Sequence, residues 1–421
     1  MSKKIKQIFL FFTIQIIIIS SYSSITTAEY VDKSNLPELL KEKSFNDILF
    51  DAKMISLLKI GQYPSASICA IQDDEIIWSK TYGFSKVWIR EKADASSIYM
   101  IGSTTKTITA TALMQLYEQD KFELDDDIND YLPFKIRNPK YPDVPITFRM
   151  LLSHSSSIYD YCIFKLIGLL DVLKFIPFPV TIDGWLTDVL IPGGRFYRSG
   201  YWLDFSPGNR STYSSIGFLL VGCLVEKISG KSIADYCEEN IFQPLEMFNT
   251  SYDMDRLNKQ NMVTPYIHRM GLYIPLPQYD PACFTLMGGV RSTSRDLAHF
   301  LIAHMNNGTY KGVKILENKT VELMHNTIYQ ESINNFTALR KNRSYGFGWF
   351  SWDFLKFKTQ GHCGMQPGAV CFMLTDKKEK TGFVFLSNHL DVLGFFEPKL
   401  IIKDGCMQII GKLLFEKARE N

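Results

Sequence analysis

The distribution of apolar residues divides the chain into strand-forming ends and a helical middle. Near the N-terminal end, two short apolar runs, residues 67–72 and 75–80, are joined by Asp73-Asp74, which predicts a β-hairpin. The first run is apolar at successive positions, so both faces of this strand should be covered. The last third of the chain returns to such runs, and we expect strands at residues 346–352, 368–375 and 381–387.

Helical periodicity marks three further segments. Residues 45–60 and 400–418 carry apolar positions at helical spacing, and a third stripe follows Ser103. That stripe consists of Ile108, Ala112, Leu113, Leu116 and Tyr117. From there to about residue 330 we find no convincing strand run. Strands at both ends and helices between them predict an α+β fold, in which the two ends share one antiparallel sheet and a mainly helical lobe is inserted.

The N-terminus has the pattern of a secretory signal peptide. Three lysines precede an apolar run at residues 8–19, and small residues ending in Ala28 follow it. We therefore expect a signal peptide at residues 1–28, a polar linker at 29–44, and one domain at 45–421. The apolar run is short for a bilayer span of about 20 residues, and an uncleaved signal anchor is the alternative. No later segment has the length and apolarity of a span.

Composition limits the classes of partner. The 421 residues are 46% hydrophobic and 21% charged, with a net charge of +2, which gives no reason to expect nucleic acid as a partner. Eight cysteines allow one or two disulfide bridges in an oxidising compartment, and none form a Cys-x-x-Cys pair. The sequence carries no signal for an oligomeric state.

Asn-x-Ser/Thr triplets mark candidate glycan sites, which matter if the chain enters a eukaryotic secretory pathway. A sixth triplet at Asn209 is disfavoured, because a sugar four residues before Tyr213 would crowd the cleft inferred below. The five remaining sites are Asn249, Asn307, Asn318, Asn335 and Asn342.

The first candidate for chemistry is Ser103, followed one helical turn later by Lys106. Residues three apart lie on one helix face, so the amine can reach the hydroxyl and act as the base that activates it. Gly102 permits a tight turn just before the helix. The pattern alone is weak, because Ser56 and Lys59 repeat it inside an ordinary amphipathic run.

Two later stretches add candidate groups. Tyr213-Ser214-Ser215 opens a helical run, and a tyrosine hydroxyl near a lysine can shuttle a proton. Residues 361–368 are rich in glycine, and we expect them to form a bend between two strands. Such a bend can present backbone N–H groups to a developing oxyanion.

In this order the three stretches resemble the serine β-lactamase and penicillin-binding-protein family, in particular its class C-like branch of esterases, D-stereospecific peptidases and β-lactamase-related proteins. That family carries Ser-x-x-Lys, then Tyr-x-Asn, then Lys-Thr-Gly or His-x-Gly on a strand. The resemblance covers nearly everything after about residue 45. It implies a β-lactamase/transpeptidase-like fold.

The resemblance also implies roles for these residues. Ser103 would be the acylated nucleophile, Lys106 its proton acceptor and Tyr213 the partner acid or base. The oxyanion hole would consist of the N–H groups of Ser103 and Met365. The residues expected to line the substrate are Ser215, His362, Cys363 and Gly364.

Three positions depart from the family pattern. Ser215 replaces Asn, His362 replaces Lys, and Cys363 stands where Thr would help to hold a substrate carboxylate. A thiol is a poor hydrogen-bond donor, and a histidine can lose its charge near neutral pH. We therefore expect His362 to titrate in the neutral range and to attract a carboxylate only below it. These changes weaken the case for a true β-lactamase or a carboxypeptidase.

Other histidines in the sequence do not suggest a metal site. His154 lies in a family-like stretch and is interpreted as packed and hydrogen-bonded. His299 and His304 are five apart, unlike a helical metal pair, and are interpreted as surface or structural residues. We expect no metal and no cofactor.

The sequence therefore predicts a secreted serine hydrolase that acts through a Ser103 acyl-enzyme on a small-molecule or peptide ester or amide. One alternative is a β-lactamase or D-Ala-D-Ala carboxypeptidase-like activity. The other is a catalytically silent binding or scaffold protein that keeps the fold.

Overall fold

The computed structural model describes residues 45–160, 181–269, 271–278, 285–330, 343–355, 357–376, 378–390 and 399–420. The chain divides into two units, Met1–Ile55 and Ser56–Asn421, and the sheet and candidate site belong to the second. The helices are α1 Phe45–Ile60, α2 Thr105–Glu118, α3 Phe148–Leu152, α4 Ile182–Leu190, α5 Ser215–Ser229, α6 Ile233–Cys237, α7 Thr285–Gly288, α8 Ser294–Met305, α9 Asn318–His325 and α10 Lys399–Lys417. The strands are β1 Ser65–Gln72, β2 Glu75–Lys86, β3 Glu91–Lys92, β4 Tyr99–Met100, β5 Tyr266–Arg269, β6 Leu272–Pro275, β7 Arg291–Ser292, β8 Thr309–Tyr310, β9 Val313–Lys314, β10 Tyr329–Gln330, β11 Ser344–Tyr345, β12 Phe350–Phe354, β13 Phe357–Gln366, β14 Ala369–Asp376 and β15 Thr381–Ser387.

Both ends of the described chain contribute to one sheet. Its nine strands run in the order β10-β11-β12-β13-β14-β15-β1-β2-β3, and neighbouring strands are antiparallel. Strand β1 joins the two halves, because it pairs with β2 on one side and with β15 on the other. The prediction of a shared antiparallel sheet in an α+β fold is confirmed.

Helices cover both faces of this sheet. A Cβ on Gly382 of β15 would face Leu301 and Met305 of α8 at 3.2 and 3.1 Å. The next residue, Phe383, packs edge-on against Phe415 of α10 with ring centroids 5.0 Å apart. Because consecutive strand residues point to opposite faces, α8 and α10 lie on opposite sides. The expected double coverage of β1 follows, and seven of its eight residues are buried.

The sequence predicted a single apolar stripe on helix α2, but the helix is buried on every side. Residues 105–116 are all buried. A helix buried on every side must satisfy its polar groups internally. The hydroxyls of Thr107, Thr109 and Thr111 do so by donating to backbone carbonyls three or four residues earlier, at 2.8, 3.1 and 2.9 Å. Helix α5 packs against α2.

The expectation that the middle of the chain lacks strands is wrong. Strands β5 and β6 form a hairpin, as do β8 and β9, and β4 pairs with β7. Each of these strands is only two to four residues long. That is at or below the four to eight residues over which alternation can be recognised in a sequence.

The prediction of a glycine-rich bend at residues 361–368 is also wrong for most of those residues. Strand β13 continues to Gln366, and the turn is confined to Pro367 and Gly368. Conversely, residues 346–349, predicted to be strand, form a loop between β11 and β12. Glycine has low strand propensity, and here pairing with β14 overrides it.

The described cysteines do not form disulfides. This holds for Cys69, Cys223, Cys237, Cys363, Cys371 and Cys406, whereas Cys162 and Cys283 lie outside the described residues. Within the described ranges, every helix is too short or too polar to cross a bilayer. The candidate glycan sites Asn307 and Asn318 are exposed and Asn249 is half-buried, whereas Asn335 and Asn342 lie outside the described ranges.

Candidate active site

Ser103 occupies a short 3₁₀ turn, Gly102–Thr104, directly before α2. The sequence placed it in the first turn of an α-helix; the tighter turn adds an irregular segment between strand β4 and the helix. Gly102 has φ of +53°, in the left-handed region that a glycine adopts without steric cost. The Ser103 side chain is half-buried.

Lys106 contacts Ser103 as the spacing predicted. Its Nζ lies 3.1 Å from Ser103 Oγ and donates a second hydrogen bond to the Met287 carbonyl at 2.9 Å. The lysine side chain is 1% exposed. Two fixed partners and near-complete burial hold the amine against the hydroxyl. The Met287 carbonyl comes from α7 and was not foreseen from the sequence.

Strand β13 packs directly against the Ser103 turn. A Cβ on Gly364 would lie 1.7 Å from the Ile101 carbonyl oxygen and 3.1 Å from Ser103 N, so only glycine fits there. Likewise, the backbone nitrogen of Met365 lies 3.0 Å from where a Cβ on Gly102 would be. The backbone nitrogens of Ser103 and Met365 therefore belong to two segments in close contact.

Tyr213 also lies close to the lysine. Lys106 Nζ is 5.3 Å from the centroid of the Tyr213 ring. The tyrosine precedes α5, whose first turn is capped by the Ser214 hydroxyl accepting from Gly217 N at 3.0 Å. The structure thus brings Ser103, Lys106 and Tyr213 together.

His154 supports Tyr213 from behind. Its ring packs on the Tyr213 ring with centroids 4.6 Å apart, and its Nδ1 accepts from Ser214 N–H at 3.1 Å. Burial lowers the pKa of His154 well below 6.5, and the charges of Lys106 and Arg343 add to this effect. The interpretation of His154 as a packed, hydrogen-bonded residue is confirmed.

Asp160 is a further part of the site that sequence reasoning missed. Its carboxylate accepts from the backbone N–H of Ser215 at 2.8 Å and of Ile216 at 3.1 Å, at the N-terminus of α5. Burial raises the pKa of Asp160. The nearby Ser215 side chain opposes this effect and lowers the pKa. The Ser215 backbone N–H therefore already has a partner in the protein.

His362 does not behave as the sequence suggested. Its side chain is buried and packs on Phe350 with ring centroids 4.1 Å apart, and Nδ1 donates to the Cys363 carbonyl at 2.8 Å. Burial, reinforced by the charges of Lys106 and Arg343, lowers its pKa well below 6.5. The expectation that His362 titrates in the neutral range is wrong. The neighbouring Cys363 is half-buried.

A second cation lies near the site. The guanidinium carbon of Arg343 is 3.6 Å from the Phe350 ring centroid and 5.8 Å from that of Tyr213. Its charge contributes to the lowered pKa values of His154 and His362. No motif in the sequence marked Arg343, which directly precedes β11, the strand that pairs with β12 and its Phe350.

His299 and His304 are structural. His299 Nδ1 lies 3.0 Å from the Leu245 carbonyl, and His304 Nε2 lies 3.0 Å from Thr111 Oγ1. Both are buried. In the part of the chain that the structure describes, no three His, Cys, Asp or Glu side chains are grouped as metal ligands.

Comparison with known proteins places this arrangement in a family. The model of the β-lactamase family matches residues 50–401. The chain therefore belongs to this family of serine hydrolases.

Individual relatives are distant. The chain is 24% identical over 354 residues to Protein flp of Staphylococcus aureus (strain N315), a match that covers 82% of this chain. It spans only 63% of the length of that relative. It is 25% identical over 358 residues to an N-acetylmuramyl-L-alanine amidase of Bacillus subtilis (strain 168), covering 77% of each.

A solved structure confirms the fold. The octameric penicillin-binding protein homologue from Pyrococcus abyssi superposes with a TM-score of 0.70. The match is 24% identical and covers 87% of this chain and 78% of the other. The β-lactamase/transpeptidase-like fold inferred from the motif order is confirmed.

Proposed function

We propose that this protein is a secreted serine hydrolase that cleaves an ester or amide through an acyl-enzyme on Ser103. The observation that carries the proposal is the 3.1 Å contact between Ser103 Oγ and a lysine amine that is 1% exposed. A buried amine can act as the base for a serine hydroxyl.

In the proposed first step, Ser103 Oγ forms a bond to the carbonyl carbon of the substrate. Its proton passes to the amine of Lys106, which must be uncharged at the moment of this step and is oriented by donating to the Met287 carbonyl. As the tetrahedral intermediate collapses, the bond to the leaving group breaks and that group takes a proton through Lys106 or Tyr213. Water then attacks the carbonyl carbon of the acyl-enzyme and gives a proton to the same pair. The bond to Ser103 Oγ breaks, Oγ takes that proton back, and the acid is released.

The negative charge of the intermediate would be stabilised by backbone N–H groups of Ser103 and Met365. The close packing of Gly364 on the Ser103 turn supports this assignment, because it keeps the two segments in register. Loss of one such donor in a hydrolase typically costs about 10²–10³-fold in rate.

The amide-cleaving relative from Bacillus subtilis supports an ester or amide as substrate. A second candidate is a substrate that ends in a carboxylate, as for a carboxypeptidase. Arg343 favours it, because a guanidinium is permanently charged and can bind a carboxylate through two hydrogen bonds. It would supply the charge that the buried His362 does not.

The test is covalent labelling with a fluorophosphonate, followed by mapping of the labelled residue. Wild-type protein and Ser56→Ala should be labelled equally, and Ser103→Ala should not be labelled. Ser56 is the matched control because it also has a lysine three residues later. Labelling that survives the loss of Ser103 would refute the mechanism, and a folded wild type that resists every ester and probe would favour a silent binding protein.

Secretion is tested separately. The signal pattern predicts a mature chain that begins near Glu29 and is found outside the cytosol. In a eukaryotic host, glycosidase treatment should change its mobility. Cytosolic protein that retains Met1 would contradict this part of the proposal.

A further inference from the structure

Two surface segments expose apolar side chains at one place on the molecule. The turn between β2 and β3 presents Trp88 and Ile89, which are 65% and 70% exposed. Strand β6 presents Leu272 and Ile274, which are 58% and 41% exposed. The segments are in contact, because Trp88 Nε1 donates to the Tyr273 carbonyl at 3.0 Å. We call the four exposed side chains the apolar tip.

Local geometry directs these side chains outward. The N–H of Arg90 donates to the Val87 carbonyl at 3.1 Å, so Trp88 and Ile89 are the two central residues of a β-turn. Leu272 and Ile274 are two apart on one strand and share a face of the hairpin. The intervening Tyr273 points to the other face.

The tip offers a hydrocarbon surface to whatever lies outside. The one polar side-chain group of the apolar tip is the indole N–H of Trp88, and this group already donates to the Tyr273 carbonyl. The fold gains little from large apolar side chains that remain more than 40% exposed. Exposed apolar groups with a polar rim mark contacts with proteins or membranes.

The rim of the tip carries positive charge. Arg90 is exposed beside Ile89, and Arg269 is directly opposite Leu272 in the hairpin register. Of the acids near the turn, Glu91 pairs with Lys86 at 2.9 Å, and Asp94 accepts from Ser96. The tip thus combines apolar groups with adjacent arginines.

We propose that the apolar tip docks on the surface of an anionic lipid bilayer. Trp88, Ile89, Leu272 and Ile274 enter the boundary between headgroups and acyl chains, where tryptophan is favoured, and the exposed Arg90 contacts lipid phosphate. The area argues against a second protein as occupant. Four partly exposed side chains offer on the order of a few hundred Å², whereas a stable interface buries about 800 Å² on each partner.

Vesicle sedimentation tests the proposal with the full chain. Wild type should bind vesicles that contain phosphatidylserine more tightly than phosphatidylcholine alone, and salt should weaken this binding. Replacing Trp88→Ser and Ile89→Ser together should weaken it at least about tenfold, and Arg90→Gln about fivefold. Phe248→Ser is the matched control, since Phe248 is 74% exposed elsewhere and its loss should change nothing. Every variant is compared in the same processed form, so that the N-terminal apolar run neither differs between them nor masks a difference.

Fluorescence provides a site-specific second measurement. Brominated lipids should quench part of the tryptophan emission of the wild type, and Trp88→Phe should remove that part while vesicle binding persists. Equal binding by the double variant, or unchanged quenching in Trp88→Phe, would overturn the proposal. So would a wild-type oligomer that dissociates in the double variant without any binding to vesicles. All variants should hydrolyse a soluble ester equally, which separates this test from that of the catalytic proposal.

Discussion

The chain contains two Ser-x-x-Lys sequences in different surroundings. Ser56 and Lys59 lie near the end of α1, and both side chains are exposed. Ser103 is half-buried and Lys106 is 1% exposed. The spacing is the same, so the difference lies in what surrounds each pair. An exposed lysine stays hydrated, whereas the enclosed amine of Lys106 contacts the serine hydroxyl and the Met287 carbonyl instead of water.

The surroundings of the second pair come from distant parts of the chain. The Met287 carbonyl fixes the amine, and Gly364 brings β13 against the serine turn. A short motif therefore identifies a catalytic pair only together with the segments that enclose it. The following predictions alter one pair, its surroundings, or both.

The largest difference is expected between the two lysines. Lys106→Met should lower kcat/KM for an ester by about 10²–10⁴-fold, because the proposed base is lost while the apolar stem is kept. Lys59→Met should leave kcat/KM unchanged. Steady-state kinetics on both variants, with thermal unfolding as a check on folding, makes the comparison. Equal losses in the two variants would show that neither lysine serves a specific site.

Gly364→Ala tests the enclosure without touching either member of the pair. The new Cβ would lie 1.7 Å from the Ile101 oxygen, so the strand must move away from the serine turn. A displacement of about 1 Å at a catalytic site can cost about 10²-fold in rate. We expect that loss in kcat for ester hydrolysis.

Gly405→Ala is the matched control for this prediction. A Cβ at Gly405 in α10 would meet no heavy atom within 4 Å. Its substitution should raise stability by up to about 1 kcal/mol and leave kcat unchanged. Full activity in Gly364→Ala would show that β13 does not contribute to the proposed oxyanion hole.

Local patterns predicted the scaffold better than the site. Strands at 67–72 and 381–387 were evident because each forms a continuous apolar run between polar turns. Helix boundaries at Ser103 and Ser215 were signalled by small and polar residues. The hairpin Tyr266–Pro275 was missed because its strands are only four residues long.

What enclosed the site could not be predicted from local sequence. Asp160 meets the start of α5 across 55 positions, and Arg343 reaches the Phe350 ring through strand pairing. The burial that keeps His362 neutral is likewise a tertiary property, and it reversed the prediction based on the ordinary pKa of histidine.

A substitution of Arg343 tests whether the surroundings of the Ser103–Lys106 pair also select the substrate. If its guanidinium binds a substrate carboxylate, Arg343→Gln should lower kcat/KM about 10–100-fold for an ester that carries one. The matched ester without the carboxylate should be little affected. Because burial lowers the pKa of His362 well below 6.5, this histidine should add no change of preference across the neutral pH range. An equal effect on both esters would restrict Arg343 to packing on Phe350.

The smallest expected effect is on stability. It concerns His304, which is buried beside α2, the helix that carries Lys106, in contrast to the exposed end of α1. Burial lowers the pKa of His304 from 6.5 to about 3. The unfolded chain therefore binds a proton below pH 6.5 that the folded protein takes up only near pH 3. The contribution of His304 to the free energy of unfolding is fully present above pH 6.5 and is lost as the pH falls toward 3. The loss is about 1.4 kcal/mol at pH 5.5.

His304→Phe keeps the packing against Trp349 and Phe300 and removes the titrating group. Thr111 retains its bond to the Thr107 carbonyl. The variant should therefore lose less stability than wild type between pH 7 and 5.5, as measured by urea unfolding. Parallel pH profiles for the two proteins would mean that His304 is protonated equally readily when folded and unfolded. The acid sensitivity would then arise from other groups, such as His154 and His362, whose pKa values are also lowered by burial.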